Sequence, residues 1–308
     1  MTESANEAVI ARVRAVYSRW RRDTPVSRMR ADWDDLFDAP VEAEIVPVRA
    51  DAVSCEWVRP AGARRDRAIV YLHGGGFRVG SLKSHRELIA RLAAEVGAQA
   101  LAVDYRLAPE HSLPAALDDT LAVLDWLERS GFAAGAIALA GDSAGGALAL
   151  GAMIARAGQG RALPAAAYLL SAWTDLTASG ESYASRAELD PIHQRPMIAA
   201  MARSALGPAA SAEDPRLSPL FADAATLTAL PPMLLQVGAR ETLVSDSEQF
   251  AARARAAGAD ARVEIWPDMI HVFQQFPRDL PEAREAVAIG ARFLADHLDT
   301  VQQGNPKA

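Results

Sequence analysis

"AIALAGDSAGGALALGAMIARAG" (136–158) changes periodicity halfway along its length, and that change decides the fold. Residues 136–142 form a short, continuous apolar run, the pattern of a strand buried on both faces. From Ala144 the composition turns to strong helix formers. Between the two halves, "GDSAG" (141–145) matches G-x-S-x-G. A strand before it and a helix after it are the setting that a nucleophile elbow requires. Gly141 and Gly145 permit a turn tight enough to hold Ser143 in strained geometry. The serine hydroxyl then projects above the sheet, at a helix N-terminus that favours developing negative charge. The plain alternative is an N-cap serine in a Gly-rich turn, and the strand–turn–helix setting favours the nucleophile.

Working outward, the same alternation continues. Strands are expected at 68–73, 99–105, 165–173, 232–238 and 261–266, and "AVSCEWV" (52–58) is strand-like. Helices are expected at 84–97, 117–131, 144–158, 244–258 and about 282–299. Apolar strands between amphipathic helices predict an α/β fold whose mainly parallel sheet is covered on both faces. Residues 174–231 break the rhythm with Pro191, Pro196, Pro215 and Pro219 and short helical patches. They read as an inserted cap (174–231) within a catalytic domain made of 46–173 and 232–308, with residues 1–45 joining the cap. "NEAVIARVRAVYSRWRRD" (6–23) carries apolar residues at helical spacing opposite arginines. A docked cap helix is preferred there to a targeting segment, because no apolar signal core is present.

Composition narrows the classes. The 308 residues are 50% apolar and 23% charged, enough to build a sizeable core. A formal charge of −7 argues against nucleic acid or an anionic membrane as partner. No apolar run is long enough to span a bilayer. The single cysteine, Cys55, can form no internal disulfide and reads as a small buried residue, so the chain is expected to be cytoplasmic.

"HGGGF" (73–77) follows a strand. Three glycines in a row suit neither helix nor strand, but they let backbone amides approach a substrate oxygen. Gly75 and Gly76, with the amide of Ala144, are therefore the candidate oxyanion hole. The motif fails as a phosphate loop, since no Lys-Ser/Thr pair follows. Of six histidines, only His271 is expected on a loop at the carboxyl end of a parallel strand, where such sheets place their sites. No His/Cys/Asp cluster has metal-ligand spacing.

"HGGGF", "VDYRLAPEHSLPAALDD" (103–119), "GDSAGG" (141–146) and "SAWTDLT" (171–177) occur in this order. Together they resemble the bacterial hormone-sensitive-lipase-like carboxylesterases, of the GDSAG type, within the α/β-hydrolase superfamily. The resemblance runs from about residue 45 to the end. It implies an α/β-hydrolase fold with a mostly helical cap, and hydrolysis of short- to medium-chain acyl esters without cofactor. It allows a homodimer through the last strand and helix. Most such esterases carry an aspartate in an Asp-x-Leu block after the strand that follows the cap; here the block reads Glu241-Thr242-Leu243. Glutamate can hold the imidazole equally if the backbone stands further back, so Ser143, His271 and Glu241 form the expected triad. Asp246, in the first turn of the next helix, and Asp175, beyond the preceding strand, remain alternatives for the acid. Phe77, Trp173 and Tyr183 are candidate substrate contacts. The "RETL" style of acid block also resembles that of monoterpene lactone hydrolases, the second enzymatic reading. Plant gibberellin receptors share the scaffold but have lost the histidine; with His271 in place, a non-catalytic receptor is the lesser reading.

Overall fold

The computed structural model describes residues 5–21, 23–208 and 210–300, the last two as backbone alone. Two helices, α1 (Ala5–Tyr17) and α2 (Val26–Leu36), precede the sheet. The strands are β1 (Glu44–Ala50), β2 (Val53–Arg59), β3 (Arg64–Leu72), β4 (Ala98–Asp104), β5 (Ile137–Asp142), β6 (Ala167–Leu170), β7 (Met233–Gly238) and β8 (Ala261–Trp266). Their order is β1-β2-β4-β3-β5-β6-β7-β8. Only β2 runs against its neighbours, and every pair from β4 to β8 is parallel.

Alternation along each strand sends side chains to opposite faces. On one face Ile69, Tyr71, Ala138 and Ala140 pack with α3 (Leu82–Val96) and the last helix, Pro281–Thr300. On the other, Val70, Leu72, Leu139 and Leu235 pack with α4 (Ala115–Arg129), α5 (Ala144–Gly158) and the helix Val244–Ala256. Burial on both faces is why these strands read as continuous apolar runs.

Residues 174–231 contribute α6 (Ser182–Ser185), α7 (Arg195–Ala205) and α8 (Ala224–Thr228), after which α9 (Val244–Ala256) and α10 (Pro281–Thr300) complete the helices. Several expected boundaries move, two of them at identifiable turns. The run 165–173 shortens to β6 because Ser171, at φ 48°, turns the chain out of the sheet. The first helix stops at Tyr17, and the chain turns before α2 begins beyond Pro25. Cys55 is buried in β2, and burial pushes its thiol up to about 12. Among the described residues no helix is long and apolar enough to cross a membrane.

Candidate active site

β5 delivers Ser143 onto α5 through a turn in which the serine itself takes φ 52° and ψ −116°. That conformation is costly for a residue with a side chain and persists only where its surroundings enforce it. The flanking glycines show why: a Cβ on Gly145 would lie 1.9 Å from the Leu72 carbonyl oxygen, and one on Gly141 2.6 Å from the backbone of Gly145. Ser143 is anchored by its backbone, its N–H donating to Leu170 and its carbonyl accepting from Trp173.

Glu241 follows β7 and His271 follows β8, so both lie at the same carboxyl edge of the parallel sheet as Ser143 after β5, with β6 between β5 and β7. His271 Nδ1 donates to Glu241 Oε2 at 2.5 Å. The other carboxylate oxygen accepts from Gly238 N–H (2.6 Å) and from Ser171 Oγ (2.8 Å). The same Ser171 hydroxyl accepts from Val272 N–H, binding the acid's support to the histidine loop. Burial alone would lower the pKa of His271, but the charge and hydrogen bond of Glu241 outweigh it and hold the imidazole above its ordinary 6.5.

The two alternative acids lie elsewhere. Asp246 Oδ2 accepts from Asp175 N–H (2.9 Å), while Asp175 accepts from the amides and hydroxyls of Thr177 and Ser179. Burial, reinforced by the charge of Asp175, pushes the Asp246 carboxyl well above the usual carboxylate range. Asp246 does open α9, but it is buried, so its place is structural rather than that of a solvated acid on a helix dipole.

In the glycine loop, Gly75 (φ 112°) and Gly76 (φ 61°) adopt backbone that favours glycine. A Cβ on Gly75 would lie 2.3 Å from the Val79 carbonyl oxygen. The loop is pinned by Asp142, whose Oδ1 accepts from Gly74 N–H (3.0 Å) and Tyr71 OH (2.9 Å) and lies 3.4 Å from His85 Nε2. No acceptor among the described residues takes the amides of Gly75, Gly76 or Ala144.

Ser143, His271, Gly75 and Gly76 border a cavity of about 450 Å³. Its apolar wall comes largely from Tyr17, Trp20, Trp33, Phe37, Met201 and Phe276. Phe77, Trp173 and Tyr183 do not border it. Phe77 and Trp173 pack on each other in the core (ring centroids 5.9 Å apart), and Tyr183 is buried there too. Their local sequence shows aromatic character but not which side of the sheet edge each ring faces.

Two residues of the segment 174–231 were not singled out by sequence. His193 sets its ring edge-on to His271, centroids 4.6 Å apart, and is held neutral, its pKa pushed down to about 3 by burial and by His271. Asp190 accepts from Ile192 and His193 amides through Oδ1 and from Thr242 N–H through Oδ2, tying the segment 174–231 to the turn that carries Glu241. Only a turn-forming Asp-Pro dipeptide announces it in the sequence. Among the described residues no group of His, Cys, Asp and Glu could hold a metal ion.

Residues 69–275 match the family described as the alpha/beta hydrolase fold. The chain is 40% identical over 245 residues to an acetyl-hydrolase of Streptomyces hygroscopicus, covering 78% of this chain and 79% of that one. It is 36% identical to an esterase of Acinetobacter venetianus, covering 86% of each. Among solved structures, an esterase from the bacterial hormone-sensitive lipase family superposes with a TM-score of 0.92 at 38% identity, over 97% of this chain and 100% of that one.

Proposed function

We infer the reaction of this chain from its family: it belongs to the bacterial hormone-sensitive-lipase-like carboxylesterases of the α/β-hydrolase superfamily, and is a serine carboxylic ester hydrolase. Ser143 is the nucleophile. His271 takes its proton, the alkoxide attacks the ester carbonyl, and the amides of Gly75, Gly76 and Ala144 hold the oxyanion. His271 then protonates the departing alcohol. In the second half-reaction it activates the water that cleaves the acyl-enzyme. Glu241 fixes the imidazole tautomer and stabilises the imidazolium. The observation that carries this reading is the buried Glu241–His271 hydrogen bond, with His271 and the strained Ser143 both bordering one cavity.

Short- to medium-chain esters are the substrate class. A cavity of this size lies at the smaller end of the ~300–1,000 Å³ of small-molecule sites. The helices of residues 1–45 and of 174–231 serve as its cap. The test is kcat/KM on p-nitrophenyl esters from acetate to dodecanoate, with ε-caprolactone alongside and Ser143→Ala as control. Activity that peaks at short chains and is abolished by Ser143→Ala is expected. A lactone rate far above every linear ester would turn the reading to lactone hydrolysis, and turnover surviving without Ser143 would sink the triad.

A further inference from the structure

We propose that the cavity takes esters bearing an anionic group, and that Arg78 is the specificity-determining residue that pairs with it; the proposal rests on the esterase reading. Arg78 borders the cavity with Ser143 and His271. It stands three residues after Gly75 in a turn closed by its own N–H to the Gly75 carbonyl (3.1 Å). A turn of that kind holds the two Cα atoms within ~7 Å, so the guanidinium is tethered next to the proposed oxyanion loop.

The side chain of Arg78 donates to nothing among the described residues, and its Nε is buried without an acceptor. Several other arginines have acidic partners. Arg30 pairs with Glu110, Arg86 with Glu56, Arg106 with Asp119, and Arg156 with Asp125 and Glu128. The chain carries 39 acids against 32 bases, so carboxylates are in ample supply, yet among the described residues none meets this guanidinium. Leaving a partly desolvated cation unpaired costs stability that an incoming anion can return.

The rest of the cavity wall agrees. Its other arginine, the exposed Arg21, donates among the described residues to the Ser18 carbonyl and meets no acid there. The one acid on the wall, Asp142, is already committed to Tyr71, Gly74 and His85. Trp33, also on the wall, has a buried Nε1–H without an acceptor. A wall with spare donors and spare positive charge selects a ligand that brings acceptors and negative charge. A carboxylate fits best, because the guanidinium fork matches it bidentately.

Two matched pairs of esters test this by pH-stat. Monomethyl adipate against methyl hexanoate puts the anion on the acyl arm; 3-acetoxybenzoate against 3-methylphenyl acetate puts it on the alcohol arm. In one pair, Arg78→Met should lower the ratio of kcat/KM, anionic over neutral, about tenfold or more, and Arg78→Lys should lower it less. The pair that responds identifies the arm. Ratios unchanged by Arg78→Met in both pairs overturn the proposal while leaving the esterase reading intact. A wild type inert on all four esters, or turnover surviving Ser143→Ala, strikes the esterase reading instead.

Discussion

Glu241 is one methylene longer than the aspartate common in this family, and its extra length is taken up by anchoring. One oxygen meets His271 while the other is held by Gly238 and Ser171. The consequence is a pH dependence with a definite sign. Glu241 raises the His271 pKa above 6.5, so the imidazole, the proposed base, is protonated at higher pH than an isolated histidine. The profile of kcat/KM should therefore fall as pH drops through a pKa above 6.5. His193 stays neutral across that range and adds no second limb. Glu241→Gln removes the charge but keeps the shape, leaving burial as the dominant influence, so the acid limb should move to lower pH. The maximal kcat should also drop ~10²–10⁴-fold through loss of tautomer control and imidazolium stabilisation. A limb that stays in place would assign the shift to another acid. At this scale the places of the candidates were legible: Ser143 on a strand–helix turn because an elbow is local, and His271 on the loop after β8 because strand ends constrain it. The setting of Asp246 was not legible, since its fate depends on the amide of Asp175, 71 residues away.

Among the elements, α5 and β8 fall on the spans their periodicity predicts, 144–158 and 261–266, because each is bounded by turn-forming residues and has one unambiguous pattern. α2 was hidden by its composition: "VSRMRADWDDL" buries only Met29, Asp32 and Trp33 and is otherwise too polar to announce a face. The start of α9 supplies a prediction of its own. Asp246 is a carboxyl whose folded pKa lies well above its unfolded value, for burial and for the charge of Asp175. Such a group binds more protons folded than unfolded. Its stabilising contribution is complete below the unfolded pKa and is lost as pH rises through the folded one. Asp246→Asn keeps the acceptor for Asp175 N–H and cannot ionise. Its Tm should equal or exceed that of the wild type at pH 9, with the gap closing towards pH 5. Thermal unfolding at the two pH values checks this, and a variant less stable than wild type at pH 9 would mean that Asp246 is an anion in the folded protein.

At the scale of the whole molecule, the sheet and its covering helices form two clusters to which α1 contributes no side chain. α1 belongs to a third, in which Val9, Ile10 and Val13 pack against Met269, Ile270 and Phe273 of the segment around His271. Polar ties reinforce that docking: Arg14 donates to the Pro191 carbonyl, Arg12 pairs with Asp279, and Glu7 pairs with Arg240, the neighbour of Glu241. The N-terminal helix thus leans on the acid and histidine loops at once, a relation no stretch of sequence could disclose because its ends are more than 230 residues apart. Each buried apolar side chain of this kind contributes about 1.5–3 kcal/mol at most, so the docked helix is worth several. Removing residues 1–20 should therefore loosen the catalytic loops without dissolving the sheet. It also strips Val13, Tyr17 and Trp20 from the cavity wall. The truncated protein should unfold cooperatively with near-native far-UV circular dichroism. Its kcat/KM on p-nitrophenyl butyrate should fall at least ~10-fold, since small misplacements of catalytic groups carry penalties of that order or more. KM should rise with the opened wall, and kcat should fall with the freed His271 segment. Wild-type kcat/KM in the truncated protein would show that α1 merely decorates the fold, and the catalytic loops would then have to be held by the Asp190 and Ser171 bonds alone.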